Sequence, residues 1–181
     1  MPELPEVEIT ARRLDTALRG AQIESALAPG INALKTFDPP LSALEGRAIA
    51  GVRRIGKNLV VDVTGDLALL VHLMSAGRMQ LFDKRAGPRD RTSRLLVRIS
   101  DPDHPGRELR LREFGTKQAA WVKLLRAGEL EADEMLTKLG PEAWPDPPED
   151  LRELLAAPRP LHALLRDQHV VTGIGSAMTR S

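Results

Sequence analysis

Residues 48–82 read AIAGVRRIGKNLVVDVTGDLALLVHLMSAGRMQLF, and this stretch decides the fold. Short runs rich in Val, Leu and Ile alternate in it with turn-forming residues such as the Thr-Gly-Asp triplet at 64–66. Apolar runs of about four to eight residues bounded by such turns predict β-strands. The pattern continues downstream, and we predict strands at 48–55, 59–63, 68–74, 79–82, 94–99, 108–114 and 119–124. Several short strands at this spacing are typical of a β-sandwich or a barrel.

An amphipathic helix precedes the strands. Apolar residues recur at steps of three and four positions up to residue 19, at Leu4, Val7, Ala11, Leu14 and Leu18. That spacing places them on one face of a helix. A proline at position 5 suits the first helical turn, where a missing backbone N–H costs nothing. The predicted fold class is therefore α+β and mainly β, with an N-terminal helix followed by an antiparallel β-sandwich.

The last third of the sequence changes character. Residues 127–139 and 149–156 have helical patterns, and prolines crowd the stretch 141–160, which is typical of a linker. A further helix is predicted at 161–171 and is broken by the Gly-Ile-Gly at 173–175. We predict three parts: a helix and β-sandwich domain at 1–130, a helical, proline-rich linker at 131–160, and the start of a helical domain at 161–181. Because the last helix lacks a second helix to pack against, we expect an incomplete domain in a fragment, a truncated product or a degenerate copy.

Composition excludes several classes of chemistry. The 181 residues contain no cysteine, which excludes disulfides, thiolate zinc sites and a cysteine nucleophile from this chain. The net charge of +1 conceals a basic middle, because residues 51–126 hold 16 Lys and Arg against 8 Asp and Glu. Such a local excess attracts phosphate groups, although an arginine-rich solvated surface explains it equally well. With no apolar run of about 18 residues and no apolar leader, we expect no membrane association and a cytoplasmic protein.

The first residues, MPELPE, contain a candidate nucleophile. A small second residue such as Pro2 favours removal of the initiator methionine, which leaves a secondary amine at the chain terminus. Terminal amines have pKa values near ~8, so a useful fraction is neutral at cellular pH and forms an iminium with an aldehyde-like carbon. A neighbouring carboxyl such as Glu3 is placed to protonate a sugar ring oxygen. The alternative is that the prolines only begin a helix.

The same opening, MPELPEVE at 1–8, resembles the N-terminal signature of the formamidopyrimidine-DNA glycosylase / endonuclease VIII family of base-excision repair enzymes. Further motifs of that family are matched in order along nearly the whole chain, by RRIGKNL at 53–59, VHLMSAGR at 71–78, REFG at 112–115, LGPE at 139–142, and LLRDQ at 164–168 followed by GIG at 173–175. The resemblance implies a bifunctional DNA glycosylase/AP lyase for oxidised bases, with oxidised purines favoured by the Arg-x-Phe pattern. It also implies a monomer whose partner is double-stranded DNA containing damaged bases or abasic sites.

By this resemblance, three residues carry the chemistry. Pro2 is the nucleophile that forms a Schiff base at C1′, Glu3 is the general acid, and Lys57 is a second proton donor that contacts phosphate during β- and δ-elimination. We expect the Pro2 nitrogen to be exposed beside Glu3 and to face a basic trough. Glu6 either positions the sugar or only complements the helix dipole. No cofactor is expected, because the cysteines of the family's zinc finger are absent from this chain.

The resemblance also implies which residues bind DNA. His72 contacts a phosphate near the lesion, unless it is only structural. Arg112 and Phe114 fill the gap that a flipped base leaves, unless Phe114 is a core residue. Met74 is the third wedge, although Ser75 occupies the position where the motif places its methionine. The remaining candidates are Ser176 and four arginines, each arginine with a solvated side chain as the alternative: Arg89, Arg91, Arg94 and Arg159.

Two departures from the family keep other functions open. Ser176 stands where the family carries a phosphate-binding asparagine, and the second helix of the family's helix–two-turn–helix module is not part of this sequence. The first alternative is a degenerate or truncated relative that binds damaged DNA without turnover. The second is an isolated structural domain with no function of its own.

Overall fold

Two antiparallel sheets of four strands each form most of the structure, a computed structural model that describes residues 2–176 and 178–179. The strands are β1 (Gln22–Leu27), β2 (Ile49–Ile55), β3 (Asn58–Val63), β4 (Leu67–His72), β5 (Arg78–Phe82), β6 (Ser93–Ser100), β7 (Glu108–Arg112) and β8 (Trp121–Arg126). Their order is β1–β6–β7–β5 in one sheet and β2–β3–β4–β8 in the other. Helix α1 (Leu4–Leu18) packs mainly against β2. The predicted fold class, a helix followed by an antiparallel sandwich, is confirmed.

The main core lies between the two sheets. Val61 and Leu69 point into it from one sheet, and Val97 and Leu109 point into it from the other. All five residues of the predicted helical stripe are buried as well, and α1 contributes to the same core. Burial of each large apolar side chain stabilises the fold by about 1.5 to 3 kcal/mol. The sandwich therefore depends on the alternation that the sequence shows.

Strand β4 is buried on both faces. Its residues Ala68 and Leu70 point away from the main core into a smaller cluster with Val60, Leu125 and Leu130. Helix α2 (Ala127–Glu131) supplies Leu130 and covers this outer face. A strand with two covered faces needs apolar residues at every position, which explains the continuous run LALLV.

The structure contains one strand that the sequence analysis missed. Strand β1 lies at a sheet edge and buries Ile23 fully, while most of its other side chains remain partly or fully exposed. A register shift between Ile23 and Ser25 further interrupts its alternation. An edge strand with a bulge carries too weak an apolar pattern to be recognised from sequence.

The helices after the sandwich are shorter than predicted. The helix predicted at 127–139 is two helices, α2 and α3 (Glu134–Thr137), because the Asp133 carboxylate accepts a hydrogen bond from the Met135 N–H and begins a new helix. Helix α4 covers only Leu151–Leu154. Helix α5 (Leu161–Arg166) ends at Arg166 rather than 171, because the Asp167 carboxylate accepts the His169 N–H and turns the chain. In the part of the chain that the structure describes, no helix is long and apolar enough to cross a bilayer.

The segment after the linker docks back onto the sandwich. Thr172 pairs with Glu142 in a short parallel bridge, and the Gly140 N–H donates to the Gln168 carbonyl. The Leu4 N–H, at the start of α1, donates to the Gly173 carbonyl at 3.1 Å. The first turn of α1 therefore contacts the Gly-Ile-Gly turn directly. The division at residues 130 and 160 stays a prediction.

Arg54 ties three parts of the chain together. Its guanidinium, only 5% exposed, contacts the carboxylates of Glu8 on α1 at 2.8 Å and of Glu142 in the linker at 2.6 Å. It also donates to the Trp144 carbonyl, while Glu142 accepts the Gly56 N–H at 2.6 Å. Burial alone would lower the pKa of Arg54. Its hydrogen bonds to Glu142 and Glu8 outweigh burial and raise the pKa above its usual value. The cation is therefore permanent, and it holds helix, hairpin and linker together.

We predict that Arg54→Met lowers the free energy of unfolding by about 2 to 3 kcal/mol, because two carboxylates lose their cation. Arg53→Met is the matched control, since Arg53 pairs with Asp62 on the exposed side of the same strand. Exposed pairs contribute little, so the control should cost about 0.5 kcal/mol. Urea denaturation measures both variants, and equal losses would contradict the role given to Arg54.

Asp90 shapes the loop that enters β6. Its carboxylate accepts hydrogen bonds from the Thr92 N–H and hydroxyl at 2.8 and 2.7 Å, and from the Ser93 hydroxyl. Burial alone would raise the pKa of Asp90, but these hydrogen bonds lower it to about 2. The folded pKa lies below the ordinary value of 3.8, so the ionised carboxylate stabilises the fold above about pH 4 and this contribution disappears as the pH falls toward 2.

Asp90→Ala should therefore destabilise the protein by about 1 kcal/mol at neutral pH, a value reduced for the partial exposure of this loop. The difference from wild type should shrink as the pH falls toward about 2. Chemical denaturation across that range measures it, and a difference independent of pH would refute the role of the ionised carboxylate.

Candidate active site

Glu3 is a buried carboxylate at the beginning of α1. It is only 7% exposed and occupies the N-cap position of the helix. Its Oε2 accepts a hydrogen bond from the Met178 N–H at 3.0 Å, and the Glu6 carboxylate accepts the Glu3 N–H at 3.4 Å. These two hydrogen bonds fix Glu3 in position at the first turn of α1.

Lys57 lies at the tip of the β2–β3 hairpin, beside this carboxylate. The hairpin turns through Gly56, whose φ of 59° needs glycine, and Lys57 follows it. The Lys57 Nζ donates to the Ile174 carbonyl at 3.4 Å. Burial lowers the pKa of Lys57, the charge of Glu3 opposes this, and the charge of Arg166 lowers the pKa further. The structure thus brings two of the three predicted catalytic residues, Glu3 and Lys57, close enough for the charge of Glu3 to act on Lys57.

The Gly-Ile-Gly turn fits closely around these groups. A side-chain carbon at Gly175 would overlap the Glu3 carboxylate and lie 2.8 Å from its Cδ, and one at Gly173 would overlap Leu4. Gln168 holds the turn by accepting the Gly173 N–H at 2.9 Å and donating to the Ile174 carbonyl at 2.7 Å. Both glycines are therefore needed for the close approach of the turn to α1.

His72 ends β4 and lies half-buried opposite Asn58 of β3. Its Nδ1 is 2.6 Å from the Asn58 Oδ1, and the Asn58 amide donates to the Ile55 carbonyl. Because that bond fixes the amide, Nδ1 is the protonated nitrogen of the neutral ring. Burial, and secondarily the charge of Lys57, lower the pKa of His72. His72 and Lys57 line one cavity of about 610 Å³, which we call the basic pocket.

Pro2 lies in a different cleft. This cleft measures about 540 Å³ and runs between α1 and β5, with Glu6, Arg13, Arg78 and Gln80 among its lining residues. Pro2 itself is buried, so the expected exposure of its nitrogen is not observed. Met1 precedes Pro2 in this chain, and the Pro2 nitrogen is therefore an amide nitrogen. Glu6 lines the cleft and also bonds the Glu3 N–H, which leaves both interpretations of Glu6 open.

Arg112 and Phe114 lie next to each other where β7 ends. The Arg112 guanidinium lies 4.7 Å from the centre of the Phe114 ring and 5.2 Å from that of Phe82. It also donates to Gln80, which lines the Pro2 cleft. Phe114 is 59% exposed, so the alternative that it is a core residue is wrong. An exposed aromatic ring beside a cation is available to contact a base.

The loop residues are placed less favourably than expected. Met74 is half-buried with a φ of 52°, while Ser75 and Ala76 are exposed at the tip of that turn. Arg91 is exposed. Its guanidinium donates to the backbone carbonyl of Asp90 at 3.3 Å, which is a long and therefore weak hydrogen bond. Arg94 is buried and donates to the Ala120 carbonyl at 2.7 Å, so the suggestion that it contacts DNA is wrong.

The candidates near the linker have local partners. Arg159 forms an ion pair with Asp167 at 3.0 Å, across the turn that ends α5. Ser176 is half-buried directly after the Gly-Ile-Gly turn, and its carbonyl accepts the Thr179 hydroxyl.

No group of three His, Cys, Asp or Glu residues among those described could hold a metal ion. Gln168 and Arg166 lie within one of the family motifs, but no role was predicted for them. Their proximity to Lys57 arises from the tertiary fold, which no local pattern shows.

Comparison with known proteins gives a consistent result. The family model described as the formamidopyrimidine-DNA glycosylase N-terminal domain matches residues 1–117. The formamidopyrimidine-DNA glycosylase of Moorella thermoacetica is 34% identical over an alignment of 182 positions, which covers 97% of this chain and 64% of that protein. The enzyme of that name from Lactococcus lactis subsp. cremoris is 30% identical. That alignment covers 97% of this chain and 63% of that protein. This chain therefore spans slightly less than two thirds of the length of these relatives.

Solved structures show the same similarity. A complex between the Lactococcus lactis Fpg and DNA containing an abasic site matches with a TM-score of 0.83 and 25% identity, over 98% of this chain and 64% of that one. A complex of the inhibited protein with DNA containing N7-benzyl-Fapy-dG matches with a TM-score of 0.83 and 26% identity. This match covers 98% of this chain and 65% of that one. The similarity thus extends beyond residue 117 to the linker and the Gly-Ile-Gly turn.

We predict that Gly175→Ala displaces the Glu3 carboxylate, since the new methyl group overlaps it. The fold should lose about 1 to 2 kcal/mol, and the pKa of Lys57 should fall further because its nearby anion has moved. NMR titration of the labelled lysine measures the pKa. Gly128→Ala is the control, because nothing lies within 4 Å of that position and both quantities should stay unchanged or the stability rise slightly. An unaltered Lys57 titration in the Gly175 variant would refute the proposed crowding.

Proposed function

Because the chain belongs to the formamidopyrimidine-DNA glycosylase family, we propose that it acts in base-excision repair on duplex DNA containing a damaged base or an abasic site. The observation that carries the proposal is the grouping of Glu3, Lys57 and the Gly-Ile-Gly turn at the first turn of α1. In this group a buried acid, which follows Pro2 in sequence, lies beside a partly desolvated lysine. Such a group suits proton transfer around an attacking amine.

The proposed reaction begins once Met1 has been removed. The Pro2 amine forms a bond to C1′ of the damaged nucleoside, and the bond between C1′ and the base breaks with its electron pair leaving on the base. Glu3 supplies a proton as the sugar ring opens, and the result is an iminium between Pro2 and C1′. The iminium acidifies the C2′ proton, whose loss expels the 3′ phosphate by β-elimination, and δ-elimination then expels the 5′ phosphate.

Lys57 fits the role of proton carrier in these steps. A lysine of ordinary pKa holds its proton too firmly to exchange it at neutral pH, whereas burial lowers the pKa of Lys57 toward that range. The charge of the neighbouring Glu3 opposes this shift and stabilises the charged form of Lys57. No metal or organic cofactor enters this scheme, because the amine itself activates the sugar.

The main DNA contacts in the proposal come from two surfaces. The basic pocket with His72 takes a backbone phosphate, and Arg112 with the exposed Phe114 fills the space of the flipped base. Arg91, Arg159 and Met74 contribute secondary contacts at most, since each has a local partner or is half-buried. We propose a monomer, and a preference for oxidised purines on the Arg-x-Phe pattern alone.

The second candidate function is binding of damaged DNA without turnover. The burial of Pro2 favours it, because a nucleophile must reach C1′. These two functions differ in one property, which is covalent capture of the sugar.

Borohydride trapping on abasic-site duplex separates them. We predict a covalent adduct for the protein whose mass shows that Met1 is absent, and none for Pro2→Gly. Pro5→Ala is the matched control and should retain trapping, because Pro5 is exposed on the first helical turn. Glu3→Gln should slow release of a damaged base more than trapping at a site whose base is already gone. Tight abasic-site binding without any adduct would reject turnover in favour of the binding function.

A further inference from the structure

Glu113 stands between Arg112 and Phe114, yet it faces the protein interior. It is only 2% exposed, whereas Phe114 is 59% exposed. We propose that Glu113 is a positioning residue, which holds the loops that carry Phe114 and Met74 in the arrangement that fills the gap left by a flipped base. This inference rests on the proposed function, and it extends that function from the side chains that enter DNA to the group that fixes them.

The Glu113 carboxylate closes the loop that follows β7. Its Oε1 accepts the Ala119 N–H at 2.9 Å, and its Oε2 accepts the Ala120 N–H at 2.6 Å. The loop therefore begins and ends on one side chain, and residues 114–117 between these ends are exposed. A carboxylate accepts both N–H groups at once. An amide side chain in its place does not, because its NH2 group would face one of the two donors.

Two further contacts hold this loop against the segment that enters β6. The Glu113 N–H donates to the Thr92 carbonyl at 2.9 Å, which extends the pairing of β6 with β7 by one residue. The Gln118 side-chain amide donates to the Glu113 carbonyl at 2.7 Å and to the Arg91 carbonyl at 3.0 Å. Successive side chains of a paired strand point to opposite sides, so the inward anchoring of Glu113 directs Phe114 outward.

The same contacts reach the turn that carries Met74. Ala120 is fully buried, and its carbonyl accepts the Arg94 guanidinium at 2.7 Å, while its N–H donates to Glu113. A side-chain carbon at Gly77 would lie 3.0 Å from the Ala120 Cβ, so Ala120 is the wall against which the Met74 turn closes. A displacement of Ala120 therefore moves both loops, and one buried carboxylate fixes them together.

Fixing these loops matters because a side chain that enters a base stack must be ordered there. A loop that is already ordered in the free protein loses less conformational entropy on binding than a mobile loop does. The gain applies only where the duplex has a gap to fill, as it does at an abasic site. Glu113 should therefore raise the affinity for abasic duplex and leave the affinity for intact duplex unchanged.

The first test follows the loop in the free protein. The chain contains three phenylalanines, so incorporation of fluorinated phenylalanine gives three fluorine resonances. Glu113→Gln should narrow and shift the resonance of Phe114, because the released loop becomes mobile, and should leave that of the exposed Phe37 unchanged. Phe114→Leu assigns the resonance by removing it. An unaltered Phe114 resonance in Glu113→Gln would overturn the proposal.

The second test compares the affinity for a duplex with a tetrahydrofuran abasic analogue with the affinity for the intact duplex. Glu113→Gln should lower this ratio about fivefold, at a temperature where circular dichroism shows the variant to be fully folded. A residue with only a structural role would leave the ratio unchanged under that condition. Asp15→Asn is the matched control and should keep the wild-type ratio. It makes the same change from carboxylate to amide where Asp15 accepts the Val52 N–H on β2.

A double-mutant cycle shows whether Glu113 acts through Phe114. In the Phe114→Leu background, most of the effect of Glu113→Gln on the ratio should disappear, because the ring that it positions is gone. Equal effects in both backgrounds would overturn the positioning role.

These measurements separate the failure of this inference from the failure of the proposed function. A wild-type preference for abasic duplex that Glu113→Gln leaves intact would overturn this inference alone. Equal wild-type affinity for both duplexes would reject the proposed function, and the gap-filling role of Glu113 with it. Because both tests measure the free protein or binding, they hold whether or not the protein forms a borohydride adduct.

Discussion

The buried guanidinium of Arg54 is the contact on which the rest of the structure depends. It lies in β2, yet its partners are a helix carboxylate, a linker carboxylate and a linker carbonyl. A buried cation with two carboxylates is costly to separate, since each charge would remain without compensation. The linker must therefore return to the sandwich, and with it come residues 168–176. The Gly-Ile-Gly turn reaches Glu3 and Lys57 only because Arg54 has already fixed the path of the chain before it.

Sequence patterns predict the elements whose burial is periodic. The stripe on α1 and the apolar runs of β2 to β8 each have a face that must leave water, and each was recognisable for that reason. Edge strand β1 was not, because it buries little, and the helix at 127–139 divides where one aspartate caps a new turn. Local competition of this kind changes the boundaries of elements without changing the amphipathic pattern.

The candidate site was predictable in its parts but not in its arrangement. Pro2, Glu3 and Lys57 could be named from motifs, and the structure places Glu3 beside Lys57. Arg166 lies close to Lys57, although the two residues are more than 100 positions apart in sequence. The burial of Pro2 likewise depends on the tertiary fold. No local pattern encodes such contacts. They arise when the turn after α5 folds against the first turn of α1.

The bond between Asn58 and His72 has a thermodynamic consequence. Because the amide holds the proton on Nδ1, the neutral ring presents a lone pair at Nε2, and a phosphate oxygen is repelled until that nitrogen is protonated. Burial and, secondarily, the charge of Lys57 lower the pKa of His72 and so favour the neutral ring. In the proposed function, a phosphate that bound at Nε2 would therefore take up one proton from the solvent, and its binding would strengthen as the pH falls. A single asparagine in a β-hairpin would thus couple the proposed phosphate contact to acidity.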